Sequence, residues 1–156
     1  MESWKNLRAR GLEEVPTTPG NYVVYRPAVR EPEFLEESPA GWFKQKDPSV
    51  SIERLGAKWV EGARILYVGK ADMRRSGAGA ALRRRLEECA QFGGGKAIGH
   101  SGGRLIWQLA DASELLVAWR ELGAEASTTA SNVEDDLLSR FKELHDDRLP
   151  FANLRL

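Results

Sequence analysis

The chain has 156 residues, 42% of them apolar and 29% charged, with 23 basic side chains against 23 acidic ones. That length buries a sizeable core, and the composition excludes a disordered or fibrous chain; the charge balance excludes the broad positive field of a protein that coats nucleic acid. Cys89 is the only cysteine, so an internal disulfide or a cysteine-built metal cluster is excluded, and with no apolar h-region or membrane-length run a single cytoplasmic domain over 1–156 is expected.

Charge is unevenly placed. Lys70, Arg74, Arg75, Arg83, Arg84 and Arg85 stand against the single acid Asp72 between positions 70 and 85, while Glu31, Glu33, Glu36 and Glu37 form an acidic stretch elsewhere. The first of these groups offers a local basic face for phosphate.

In chain order, a short polar helix is expected over 2–10, ending near Gly11, and the prolines of 15–20 make a turn. Asn21-Tyr22-Val23-Val24-Tyr25-Arg26 is rich in β-branched and aromatic residues and reads as a strand that stops at Pro27. Residues 27–62 read as an irregular excursion with a brief helix near 51–55. A second strand over 64–69 can pair with the first across it. Leu82, Leu86 and Cys89 or Ala90 recur at helical spacing over 80–91, and Gly93-Gly94-Gly95 ends that helix. Residues 104–110 suit a helix better than a strand. A third strand is expected over 115–119, then an amphipathic helix over 132–144 with Val133, Leu137, Leu138, Phe141 and Leu144 on one stripe, and an extended tail. The sum is an α+β fold: a small three-stranded, mainly antiparallel sheet flanked by helices, with a long insertion at 27–62.

Four features stand in order along this frame: Gly20-Asn21-Tyr22 opening the first strand, Tyr67-Val68-Gly69 closing the second, Arg85 before Leu86 on the next helix, and Glu134, seven residues before Phe141, ahead of Pro150-Phe151-Ala152-Asn153. The set resembles the GIY-YIG nuclease family from about Pro19 to Asn153, and Lys70-Ala71 looks like the variant in the nucleotide-excision-repair incision subunit. The chain departs from the family in its long connection between the half-motifs, in a second insertion at 72–79, and in Cys89 where a tyrosine or histidine usually stands. The resemblance implies a metal-dependent endonuclease acting on nucleic acid, DNA favoured over RNA. Its catalytic set is Tyr22, Tyr67, Lys70, Arg85 and Asn153, with Glu134 holding Mg²⁺ or Mn²⁺. A catalytically silent nucleic-acid-binding module of the same fold is the alternative.

Phosphodiester hydrolysis accounts for these residue types. Either tyrosine can serve as base for the attacking water if Lys70, Arg85 or a metal lowers a phenol pKa that is ordinarily near ~10. Arg85 would stabilise the developing charge through its fork of donors; Glu134 would bind the ion through oxygen, with water and phosphate completing the shell. Asn153 would orient the site.

Each feature also has a structural reading. Strand tyrosines commonly pack a sheet, and Arg83 to Arg85 spread round the helix so that at most two reach one cleft. Ser131-Asn132-Val133-Glu134 has the form of a capping box that would tie Glu134 to the cap. His100, between glycines, is expected to be a solvated loop residue with reach for phosphate. Gly93-Gly94-Gly95-Lys96 lacks the spacing of a phosphate loop. Trp42 and Phe43 suit an interaction surface.

Overall fold

The computed structural model describes residues 1–72, 81–100, 102–123 and 128–154. Arg74, Arg75, all of the second insertion at 72–79 except Asp72, and the expected helix start at Ala80 lie outside them. In chain order the elements are β1 (Glu2–Ser3), α1 (Trp4–Ala9), β2 (Gly20–Tyr25), α2 (Ile52–Lys58), β3 (Ile65–Ala71), α3 (Ala81–Gly93), α4 (Gly103–Ile106), a 3₁₀ turn (Ala112–Glu114), β4 (Leu116–Glu121) and α5 (Ala130–Leu144). The fold is α+β, and among the described residues the sheet has four strands in the order β1-β4-β2-β3, every pairing antiparallel.

The additional strand corrects the expected three. Ser3 caps α1 with extended backbone and its hydroxyl accepts the Asn6 N–H, so the residues ahead of the helix are extended and pair Glu2 with Val117 and Ser3 with Leu116. A cap with β-region dihedrals necessarily feeds the helix from extended chain. β2 and β3 do pair across the long connection, placing Tyr22 opposite Gly69 and Asn21 opposite Lys70.

That connection carries α2 and is tied down by buried polar groups. Gln108, fully buried, donates to the carbonyls of Leu35 and Val50 and accepts the Val50 N–H. Arg26 pairs with Asp111 at 2.9 Å and donates to the Arg30 carbonyl at 2.7 Å. Phe34 of the connection stacks on Phe151, and Trp59 meets both rings edge-on. Such groups satisfy carbonyls that an irregular segment would otherwise bury unpaired. The core joins Trp4, Leu7, Tyr22, Leu66, Leu82, Leu86, Ile106 and Trp107 across the sheet and α3. No helix among the described residues is long and apolar enough to cross a membrane.

Candidate functional site

The two half-motif glycines are explained by close approach. A Cβ on Gly69 would lie 2.5 Å from Tyr22 Cζ and 2.6 Å from Tyr67 Cε1, so this position must lack a side chain for both rings to fit. A Cβ on Gly20 would overlap the Arg120 carbonyl and lie 2.7 Å from Leu82 Cδ1, where α3 crosses the strand. The pleat puts Tyr22, Tyr67 and Gly69 on the α3 face, with ring centroids 5.7 Å apart. Asn21 and Lys70 point to the other face, toward α5.

α3 delivers Arg85 beside the tyrosines. Desolvation would depress its guanidinium, but the neighbouring Tyr22 and Tyr67 and then Glu88 outweigh that, and its pKa is raised. Its Nη1 lies 3.5 Å from Glu88, which also meets Arg84 at 3.6 Å. Arg83 belongs to the scaffold: its Nε and Nη2 donate to the carbonyls of Val15 and Glu13 at 2.8 and 2.7 Å. Of the three consecutive arginines, Arg85 is the one whose charge is coupled to both tyrosines.

Both phenols titrate above their ordinary value, chiefly because burial disfavours the phenolate. Tyr22 is 1% exposed and raised furthest; Arg85 lowers it by less than burial, Tyr67 and Cys89 raise it. Its hydroxyl is close to Tyr67 and Arg85 yet makes no hydrogen bond of good geometry among the described residues. For Tyr67, burial outweighs the lowering effects of Arg85 and of Tyr22. Neither Lys70 nor Arg85 brings a phenol below its ordinary value here: desolvation outweighs the lowering by Arg85 at both tyrosines.

Glu134 is not part of a capping box. The cap of α5 is Thr129, whose hydroxyl accepts the Asn132 N–H at 3.1 Å, one turn-start earlier than Ser131. Ser131 instead accepts from Lys70 Nζ at 2.7 Å, and the same ammonium lies 3.1 Å from Glu134 Oε2. Desolvation would lower Lys70, but Glu134, with Asp72 and Asp135, raises it further. The charge of Glu134 also raises Tyr67, so the carboxylate lies within electrostatic reach of that tyrosine. Asn21, unnoticed as more than a spacer in the half-motif, fixes this arrangement: its Nδ2 donates to the Ala130 carbonyl at 2.8 Å and holds the start of α5 against β2.

Asn153 covers the outer edge of β3. Its Oδ1 accepts the Val68 N–H and its Nδ2 donates to the Val68 carbonyl, both at 2.9 Å, so a side-chain amide stands in for a neighbouring strand. It positions β3 between Tyr67 and Gly69.

Cys89 is 1% exposed and burial pushes its thiol up to about 12, so it packs as a small apolar group beside Tyr22 and Tyr67. His100 is not solvated: it is 3% exposed, burial and then Arg85 push it down to about 3, and its Nδ1 accepts the Gly103 N–H at 2.8 Å. The local sequence gave no signal for that burial, which comes from Phe92, Trp107 and the 41–48 segment.

Among the described residues no group of three or more His, Cys, Asp or Glu side chains is placed to hold a metal. A divalent ion would rest on Glu134, whose side chain is 16% exposed. Mg²⁺ fits such a position, since it commonly takes one or two carboxylates and fills its shell with water and phosphate. Lys70 would have to leave the same carboxylate. No family model, curated protein or solved structure matches the chain.

Proposed function

We propose that this protein is a nuclease that hydrolyses phosphodiester bonds of nucleic acid, DNA in preference to RNA, with Mg²⁺ or Mn²⁺ at Glu134. The observation that carries this reading is the convergence on Tyr67 of a cation from α3, Arg85, and a carboxylate from α5, Glu134, left outside the helix cap.

Arg85 offers its planar fork to the non-bridging phosphate oxygens, where negative charge grows as water attacks. Tyr67, held neutral, donates its O–H to the same phosphate. Tyr22 and Gly69 set the Tyr67 ring, and Asn153 holds the strand that carries it. Lys70, once displaced from Glu134, adds an ammonium beside the phosphate. A divalent ion on Glu134 supplies positive charge for the leaving oxygen.

One observation favours the alternative of a silent binding module: Lys70 neutralises the carboxylate the ion would need. A panel of labelled single-stranded and duplex oligonucleotides incubated with Mg²⁺, Mn²⁺ or chelator separates the two. Divalent-dependent cleavage lost in Glu134→Gln supports the nuclease. Binding without cleavage under every condition identifies the module, and neither binding nor cleavage removes both.

A further inference from the structure

Next to this site lies a pocket of about 500 Å³, lined by Phe43, Lys46, Pro48, Phe92, His100 and Arg104 among others. One wall is a hairpin from the long β2–β3 connection. Phe43 bridges to Lys46, and between them Lys44 and Gln45 take φ of 52° and 59°. Two successive left-handed residues are what a two-residue type I′ turn requires, usually met by Asn-Gly. Holding such φ values without glycine is costly and marks a turn kept for its shape. The turn presents Trp42, 59% exposed, and Phe43, 40% exposed, with Lys44 Nζ 5.3 Å from the Phe43 ring centroid.

The opposite wall is formed by Gly99, His100 and Arg104. Arg104 donates to the Pro48 and Ser49 carbonyls and so fastens the hairpin to this wall. Because His100 Nδ1 accepts a hydrogen bond, the neutral ring carries its proton on Nε2, and this buried donor has no partner among the described residues. Two residues beyond His100, Gly102 packs against the tyrosine site: a Cβ there would lie 2.5 Å from Tyr67 Cζ and 2.8 Å from its hydroxyl. The pocket therefore lies close to the tyrosine site, and the charge of Arg85 reaches His100.

Resting on the nucleic-acid reading above, we propose that this pocket receives an unpaired nucleobase of the substrate strand, next to the phosphate presented to Arg85. Phe43 supplies the stacking face. Lys46 and Lys44 meet the adjoining backbone phosphate. His100 Nε2–H donates to an acceptor on the base edge. Aromatic faces interleaved with cations are the usual platform for single strands, whose bases, unlike those of a duplex, are free to leave the stack. Specificity for unpaired or locally opened nucleic acid follows.

The test is equilibrium binding in chelator, so that cleavage plays no part, using single-stranded DNA oligonucleotides carrying one 2-aminopurine and the matching duplex. The single strand binds more tightly than the duplex, and 2-aminopurine is quenched on binding at one register. Phe43→Ala weakens single-strand binding about tenfold, the order of one stacked base, and abolishes that quenching. His100→Asn, which keeps an acceptor for Gly103, and Lys46→Ala each weaken it by a smaller factor. Circular dichroism and melting confirm that each variant is folded. Equal affinity for duplex and single strand, or unchanged affinity and quenching in folded Phe43→Ala, overturns the pocket assignment even if the protein cleaves DNA. Single-strand binding that depends on Phe43 upholds it even if no cleavage is found. No oligonucleotide binding at all overturns both it and the nucleic-acid reading, leaving the hairpin to a protein partner.

Discussion

Replacing Asn153 by alanine removes both partners of Val68 at the outer edge of β3. The asparagine is 6% exposed and Val68 2% exposed, so the freed N–H and carbonyl are not simply returned to bulk water. Leaving a buried polar group unsatisfied costs roughly 1–3 kcal/mol, and two of them roughly 2–6 kcal/mol, toward the lower end if a water enters the vacated volume. Against a typical total stability of about 5–15 kcal/mol this is a large share. For a chain of this size, about 2–4 °C per kcal/mol gives a fall in Tm of roughly 4–24 °C. Urea unfolding followed by circular dichroism measures it directly. Asn153→Asp adds a sign: its carboxylate faces the Val68 carbonyl, so the acid is favoured and its folded pKa lies above the unfolded one. The protonated acid restores the donor, and that contribution is present below the unfolded pKa and lost as pH rises through the folded one. An Asn153→Ala protein within about 0.5 kcal/mol of the parent, or one that keeps full stability but loses all cleavage, would refute the edge-cap account.

Arg85→Ala should lower divalent-dependent cleavage by roughly a hundredfold or more with little change in Tm, whereas Arg83→Ala should lower Tm and leave the rate per folded molecule intact. Equal rate losses in both would mean generic phosphate binding. Cys89 should resist thiol reagents at pH 8 until the protein is unfolded, since its thiol is buried and pushed up to about 12; Cys89→Tyr should cost about 1–3 kcal/mol by overpacking, without a gain in rate. Rapid labelling of native Cys89 would contradict its burial. His100 is neutral when folded, with its pKa below the unfolded value near ~6.5, so its contribution is complete above that value and is lost as pH falls toward about 3. His100→Asn should flatten this acid limb in pH-dependent unfolding. For cleavage, a neutral Tyr67 donor predicts a rate that does not climb as pH approaches the phenol range; a log-linear rise there would restore tyrosine as the base.

Much of the frame was legible because local chemistry agrees with it. Tyr22-Val23-Val24-Tyr25 and Ile65-Leu66-Tyr67-Val68 favour strands wherever they occur, and the Val133–Leu144 stripe repeats at helical spacing. β1 was not legible, since two residues become a strand only through β4. Nor was the order of the 27–62 segment, which is held by Gln108 and Arg26 from or toward distant positions. Thr129 and Ser131 are both hydroxyl residues two positions apart, so which caps α5 depends on where Asn21 and Lys70 pull the helix. The candidate site divides in the same way. The order of Tyr22, Tyr67, Arg85 and Glu134 is a property of sequence. Which way burial moves the phenols, and the Lys70 hold on Glu134, depend on three-dimensional packing.

The bond from Asn21 to Ala130 has a consequence for how this chain tolerates change. Glu134 takes its position from β2 through Asn21 and from β3 through Lys70 and Ser131. The acid is therefore held by side chains from two strands that are far from it in sequence, and their packing sets its distance from Tyr67. Asn21, a residue with no part in the proposed chemistry, is thus a position at which substitution would displace the acid.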